Sequence, residues 1–471
     1  MGIHEFVSEI IEQNKDTLVD VSNQVWRFAE TGFQEKKSAQ LLVQTLKNEG
    51  FTVEEGVAEI DTAFIGSYGS GKPVIAFLGE FDALSGLSQE GGQVNYAPVE
   101  KNGNGHGCGH NLLGTGSLAA ALAVRDYLKE NKLSGTVRYY GCPGEEIGGG
   151  KTFMVREGLF DDVDFALTWH PGSRNEIMSM ASLACYEVYF KFKGASAHAA
   201  GSPHLGRSAL DAVELMNVGV NYLREHIIPE ARVHYAITNT GGFAPNVVQS
   251  EAEVLYFVRA PRVSQTESIY QRVCDVARGA ALMTGTEVEI DLASALSNVI
   301  PNTVLEETMY AQFEQLGVPT HTEEEQQFAQ AIRQTLAEAD KKVEEEVDRR
   351  LAGKDLADVI SPYTPASNVF PGSTDVGDVS WIVPTAQCMT ACEVLGTTLH
   401  TWQIVATGTT SIAHKGMMHA GKVMAATALQ LLHNPELVEQ AKAELVERKN
   451  GEEYMCPLPK EVKQYQVRDY M

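Results

Sequence analysis

The stretch TVRYYGCPGEEIGGG, residues 136–150, decides the fold. Its first half is short, apolar and rich in aromatic and β-branched residues, as a buried strand is; its second half is a Gly-rich turn that carries two acids. Upstream, VIAFLGEFDAL (74–84) is another buried strand closed by acids, and downstream FALTWHP (165–171) is a third that ends in His-Pro. A Gly-rich loop at 101–110 and the helical run NLLGTGSLAAALAVRDYLKE lie between the first two strands. Strands alternating with helices predict an α/β fold with a mostly parallel sheet covered on both faces. Such a sheet places its chemistry just beyond the carboxyl ends of its strands.

Further out, residues 17–50 carry helical periodicity through Leu18, Val21, Val25 and Phe28. From about 184 the rhythm changes. ACYEVYFKFKG, ARVHYAITNTGG, EAEVLYFVRAP and TEVEIDLASAL are strands, with helices RSALDAVELMNVGVNYLREHI and QTESIYQRVCDVARGAALMTG between them. The order is β-α-β-β-α-β, a ferredoxin-like unit. The strand-helix pattern resumes after Pro301-Asn302, so the unit is expected as an insertion at 184–300 in a discontinuous domain formed by 1–183 and 301–471. Residues 322–354 are highly charged and predict a solvated surface helix, with a partner contact as the alternative. A helix of small residues is expected at 411–432, then an acidic helix and a loop from 434.

A chain of 471 residues with 44% hydrophobic and 21% charged content is long enough for two or three domains and too apolar for a disordered one. Lys+Arg 37 against Asp+Glu 62 gives a formal charge of −25, and a surface so acidic repels phosphate backbones and anionic lipid. No partner nucleic acid or membrane is therefore expected. The N-terminus MGIHEFVSEIIEQNKDTLVD lacks the basic and apolar regions of a secretory signal, and no run approaches a membrane span. Seven scattered cysteines suit reduced thiols, so a cytoplasmic protein is expected, with any special cysteine a ligand or a nucleophile.

GHGCGH (105–110) puts Cys108 and His110 two residues apart, on one side of the chain if the segment is extended. A thiolate and an imidazole together suit a divalent metal such as Zn²⁺. Glu145 and Glu146 are adjacent in a Gly-rich turn, where side chains diverge, so one can bind metal while the other moves protons. His170 ends the next strand, and Glu80 and Asp82 end the first. The C-terminal half adds Asp375 and Asp378 in GSTDVGD, His400 in GTTLHTW, and His414 and His419 in SIAHKGMMHAGK. His414 and His419 lie five apart, not the four that a helical metal pair favours, so His400 is preferred as a ligand with His414 its rival. Chemistry gathered on one rim of a sheet predicts a site with two metal ions that activates water.

At these residues the sequence resembles the metallo-aminoacylase/carboxypeptidase family, the M20 peptidases, and within it the amidohydrolase branch. NGHGCGHNLLGT, YGCPGEEIGGGKTFMVREGLFDDVDFALTWHP, HAAGSPHLGRSALDAV and LHTWQIVATGTTSIAHKGM carry the resemblance, which covers almost the whole chain. It implies a metallohydrolase domain with an inserted dimerisation or lid domain. It further implies that Cys108, His110, Glu146, His170 and His400 hold two divalent ions, Zn²⁺ or Mn²⁺, and that Glu145 is the catalytic base acting on a bridging water. Asp82 would support a ligand from behind. His198 would reach the substrate carbonyl from a neighbouring subunit and stabilise its developing charge. Asn246 and Arg259 would bind substrate, with Arg207 a second anion contact. Some members of the branch carry Asp after Cys-Gly-His where this chain has Asn111, which reduces the charge behind that ligand.

The implied activity is hydrolysis of an N-acyl amino acid, p-aminobenzoyl-glutamate foremost, with a dipeptide or another acyl-amino acid as the alternative. The implied assembly is a homodimer through the lid, or a heteromer with a related A-type chain needed for activity. A third possibility, Cys108 as a nucleophile, is disfavoured because its companions are carboxylates and histidines from other strand ends rather than one oriented base.

Overall fold

A computed structural model of the chain describes residues 1–365 and 369–464. Its main sheet has seven strands, in the order Thr52–Glu55, Phe64–Ser70, Gly135–Cys142, Val74–Glu80, Phe165–Gly172, Thr385–Ala391 and Glu176–Ile177. The central four run parallel, and the antiparallel strands are confined to the two margins. The expected mostly parallel sheet is therefore present.

Side chains alternate across a strand, and Val74–Glu80 uses both sides. Ile75 and Phe77 enter one core, beneath helices that include Ile3–Gln13, His110–Asn131 and Ser411–His433. Ala76 and Leu78 enter the other, with Phe153 of helix Gly150–Arg156 and Trp381 of helix Val376–Ile382. Burial on both faces explains why these strands read as continuous apolar runs.

The inserted unit is a four-stranded antiparallel sheet, in the order Glu287–Leu296, Ala184–Lys193, Glu251–Ala260 and Arg232–Asn239. Helices Ala209–Leu223 and Val263–Thr284 cover one face, where Val213, Met216, Val273 and Ala277 pack with Val188, Phe190, Val254 and Tyr256. The β-α-β-β-α-β order read from the sequence is the order observed.

The charged segment is more anchored than a solvated helix. It forms helices Glu323–Gln334 and Glu338–Val347, and Ala329 and Ile332 are buried with Leu356, Val394 and Ile412. One apolar stripe hidden among many charges is enough to dock a helix. Helix Pro435–Lys449 follows as expected, and the C-terminal end at 465–471 lies outside the described residues. Among the described residues no helix is long and apolar enough to cross a membrane. All seven cysteines are free of disulfides.

Candidate metal centre

The loop before helix His110–Asn131 is not extended, contrary to the reading that placed Cys108 and His110 on one side of a pleat. Gly109 is left-handed (φ +75°), and a Cβ there would sit 2.7 Å from Pro171 Cγ. Glycine alone combines that turn with that contact. The turn starts the helix at His110 and brings three donors together: Cys108 Sγ, His110 and His170 offer atoms within 4.8 Å of one another. Cys108 Sγ is 3.4 Å from His170 Nε2, whose other nitrogen lies 2.7 Å from the Pro171 carbonyl oxygen.

His110 is buried between two acids. Its Nδ1 is 2.8 Å from Asp82 Oδ1, and its Nε2 is 3.2 Å from Glu80 Oε2 without the alignment of a hydrogen bond. Asp82 Oδ2 accepts the Glu146 backbone N–H at 3.0 Å, so one carboxylate ties the histidine to the acidic turn. That turn is built on Gly144 (φ +66°), where a Cβ would meet the Phe33 ring at 2.8 Å. Glu35 accepts the Gly144 N–H at 2.8 Å from below.

Glu146 faces outward to His400, with Oε2 3.5 Å from His400 Nε2, and the two form a second group with Cys108 whose donor atoms all lie within 4.8 Å. His400 adopts the left-handed region (φ +61°), and its N–H donates to the Gly107 carbonyl at 2.9 Å. A third group, Glu80, His110 and Glu145, meets the same spacing.

The electrostatics follow from burial among like charges. Burial, then the charges of Glu80 and Glu146, raise the half-buried Glu145 carboxyl well above the usual range. Burial opposes ionisation of Glu146 too, but the His400 hydrogen bond and the His110 charge outweigh it and bring Glu146 down to about 2. For His110 burial is overcome by Cys108 and Asp82, so its pKa rises. The Cys108 thiol is pushed up by burial and by Glu146, an effect that a bound cation would reverse.

The donor set fits divalent metal. One sulfur, imidazoles and carboxylates are the ligands of Zn²⁺ and its neighbours. His110 Nε2 and Glu146 Oε1 are buried with no hydrogen-bond partner among the described residues, and buried polar atoms rarely stay so without a reason.

Other expected residues lie apart. His414 Nε2 pairs with Asn23 Oδ1 at 3.1 Å, and His419 packs on the Phe313 ring; neither belongs to the three donor groups. Asn111 turns away to Ser22 Oγ and the Gly408 carbonyl, at 3.1 and 3.2 Å. On the inserted unit, His198 and Asn246 are exposed, and His198 Nδ1 accepts the Ala200 and Gly201 N–H groups, which leaves Nε2 outward. Arg259 donates to Ser373 Oγ at 2.9 Å and lies over the Phe257 ring. Arg207 spends its Nη1 on the His204 and Gly206 carbonyls, so its guanidinium is tied to its own loop.

Two residues escaped the sequence reading. Glu35 is wholly buried under the acidic turn, and Lys151, also wholly buried, bridges Glu80 and Asp375 at 2.6 Å each. Lys151 had a signal: a cation in the first turn of a helix opposes the helix dipole and asks for a nearby anion.

Residues 76–379 match Peptidase family M20/M25/M40. The chain is 49% identical to the B subunit of p-aminobenzoyl-glutamate hydrolase from Escherichia coli (strain K12), over 98% of each. It is 28% identical to the Xaa-Arg dipeptidase of Mus musculus, over 93% of this chain and 90% of that one. The crystal structure of an aminobenzoyl-glutamate utilization protein from Klebsiella pneumoniae shares the fold, with a TM-score of 0.60 at 18% identity, covering 90% of this chain and 98% of that one. With its carboxylates, histidines and cysteine converging at the strand ends of this fold, the chain belongs to the M20 peptidase family and is a metal-dependent amidohydrolase.

Proposed function

We propose that this chain cleaves the amide bond of p-aminobenzoyl-glutamate to p-aminobenzoate and glutamate. The observation that carries the reading is the near end-to-end, half-identical match to one of the chains of that hydrolase, supported by three converging groups of donors that could hold metal. Cys108, His110 and His170 would hold one ion, and Cys108, Glu146 and His400 a second, as Zn²⁺ or Mn²⁺. Bound there, divalent ions supply Lewis acidity that polarises a carbonyl and acidifies water.

Glu145 is the general base: it takes a proton from the attacking water and returns one to the leaving nitrogen. Its burial among acids, which favours the protonated form, suits that return. Asp82 fixes the His110 ring through Nδ1 and the Glu146 turn through its N–H. His198, with Nε2 outward, would donate to the carbonyl oxygen as charge develops, and Asn246 and Arg259 would bind substrate. Arg207 is a weaker anion contact, given its backbone partners.

Residues 1–183 and 301–471 form the catalytic domain in this reading, and 184–300 the lid, through which two copies pair. An A-type partner chain is the alternative assembly. Seven unpaired cysteines suit a cytoplasmic location. The test is release of p-aminobenzoate by the purified chain, metal-stripped and then reloaded with Mn²⁺ or Zn²⁺, beside Glu145→Ala. Release that needs both metal and Glu145 supports the reading; full activity of Glu145→Ala with its metals bound refutes it. A dipeptide with a C-terminal arginine is the second substrate to assay, motivated by the dipeptidase relative.

A further inference from the structure

The aspartates of GSTDVGD take no part in the donor groups, yet both are wholly buried. Asp375 grips Lys151 twice: Oδ2 accepts its backbone N–H at 2.8 Å, and Oδ1 pairs with its ammonium at 2.6 Å. The same ammonium lies 2.6 Å from Glu80 Oε1, and Glu80 Oε2 lies 3.2 Å from His110 Nε2. Held at both ends of one residue, Lys151 has a fixed Nζ. A carboxylate is planar, so fixing one Glu80 oxygen fixes the other.

We propose that Asp375 and Lys151 are positioning residues of the hydrolytic site, which set Glu80 against His110 and so hold the geometry in which His110 receives its metal. Asp378 provides the contrast. It sits one helical turn on, equally buried, and binds Ser297 through N–H and Oγ, Thr152 Oγ1 and the Tyr454 hydroxyl. None of these touches Glu80. Asp378 fastens the last strand of the inserted unit to the main body, whereas Asp375 is linked to the metal centre through Lys151 and Glu80.

This inference rests on the metal-binding reading above but not on the identity of the substrate. Its test is Mn²⁺ affinity of the metal-stripped full chain, measured by titration calorimetry, with melting temperature followed in parallel. Removing an outer partner of a metal ligand weakens binding by roughly 10–100-fold, and that loss is expected for Asp375→Asn. Asp378→Asn is expected to lower the melting temperature while affinity stays within about threefold, well inside the 10–100-fold expected of Asp375. Asp375→Glu keeps the charge but displaces it by a methylene, and should weaken binding as Asp375→Asn does. Equal affinity in wild type and Asp375→Asn would overturn the proposal. So would an equal loss in Asp378→Asn, which would make the effect one of general stability, or wild-type affinity in Asp375→Glu, which would make it one of charge alone. A wild-type chain that binds no Mn²⁺ would overturn both this proposal and the metal reading. One that binds Mn²⁺ normally but leaves p-aminobenzoyl-glutamate intact would refute only the substrate.

Discussion

Glu35 should behave as a carboxylic acid at neutral pH, and its proton can be read from stability. It is wholly buried, with Gly144 N–H donating to Oε1 at 2.8 Å and Thr62 Oγ1 donating to Oε2 at 3.1 Å. Burial, then the charge of Asp82, push its pKa from 4.5 up to about 8. The folded chain therefore keeps a proton that the unfolded chain has already lost. Its contribution to stability is complete below 4.5 and is lost as pH rises through about 8. Between about pH 6 and about pH 8, titration of this one group removes roughly 2 kcal/mol. Glu35→Gln keeps an acceptor for Gly144 and can donate an amide N–H to Thr62, but does not titrate. Urea denaturation of metal-free wild type and Glu35→Gln at the two pH values isolates the effect, since groups that do not interact with Glu35 cancel in the difference. The mutant should gain on wild type by roughly 2 kcal/mol at the higher pH. Parallel stability curves would refute the assignment of a neutral Glu35.

Glu145→Gln should lower kcat by about 10²–10⁴-fold, the range for loss of a general base, while metal content measured by mass spectrometry stays at the wild-type level. His400→Ala should weaken Mn²⁺ binding by about tenfold or more, and His414→Ala should leave it unchanged, since His414 faces Asn23; the reverse result in calorimetry would exchange the two histidines. Metal uptake should release protons, because His110, His400, Glu145 and Cys108 all have raised pKa values in the metal-free chain. Calorimetry in buffers of different ionisation enthalpy checks this, and Mn²⁺ affinity should rise with pH.

Strands and helices were legible because both their periods and their chemistry are local. VIAFLGEFDAL reads as a strand from its apolar run, and the structure confirms it as Val74–Glu80. The site was legible where its residues cluster in sequence, as Glu145-Glu146 and Cys108-Gly109-His110 do. The geometry inferred for the second cluster was wrong in detail, since a left-handed glycine rather than a pleat aligns the donors. Glu35 was not legible, and Lys151 was so only as a cation in the first turn of a helix, which asks for an anion without naming it. Their partners Gly144 and Asp375 lie 109 and 224 residues away, and nothing local identifies a partner that only the fold brings near. The spacing of His414 and His419 favoured His400, and only the fold shows that His414 meets Asn23 while His400 joins Cys108 and Glu146.

The buried charges form one system. Glu80, Asp82, Glu145, Glu146 and Asp375 meet around the strand ends, and Lys151 is the one permanent cation that touches them among the described residues. Carboxylates taken out of water repel one another unless something positive is brought in. In the metal-free chain burial and the charges of Glu80 and Glu146 raise the pKa of Glu145, and Cys108 and Asp82 raise that of His110 against its burial. A divalent ion can displace protons from such a site, because each ion brings two charges to the point where the acids converge. The aligned donors, the unpartnered His110 Nε2 and Glu146 Oε1, and the excess of buried acid therefore have a single physical cause. Folding gathers negative charge and donor atoms at the strand ends, where divalent cations would be held. Lys151 compensates part of that charge permanently, at Glu80 and Asp375, and in the proposed reading Cys108, Glu146 and His400 are left for metal.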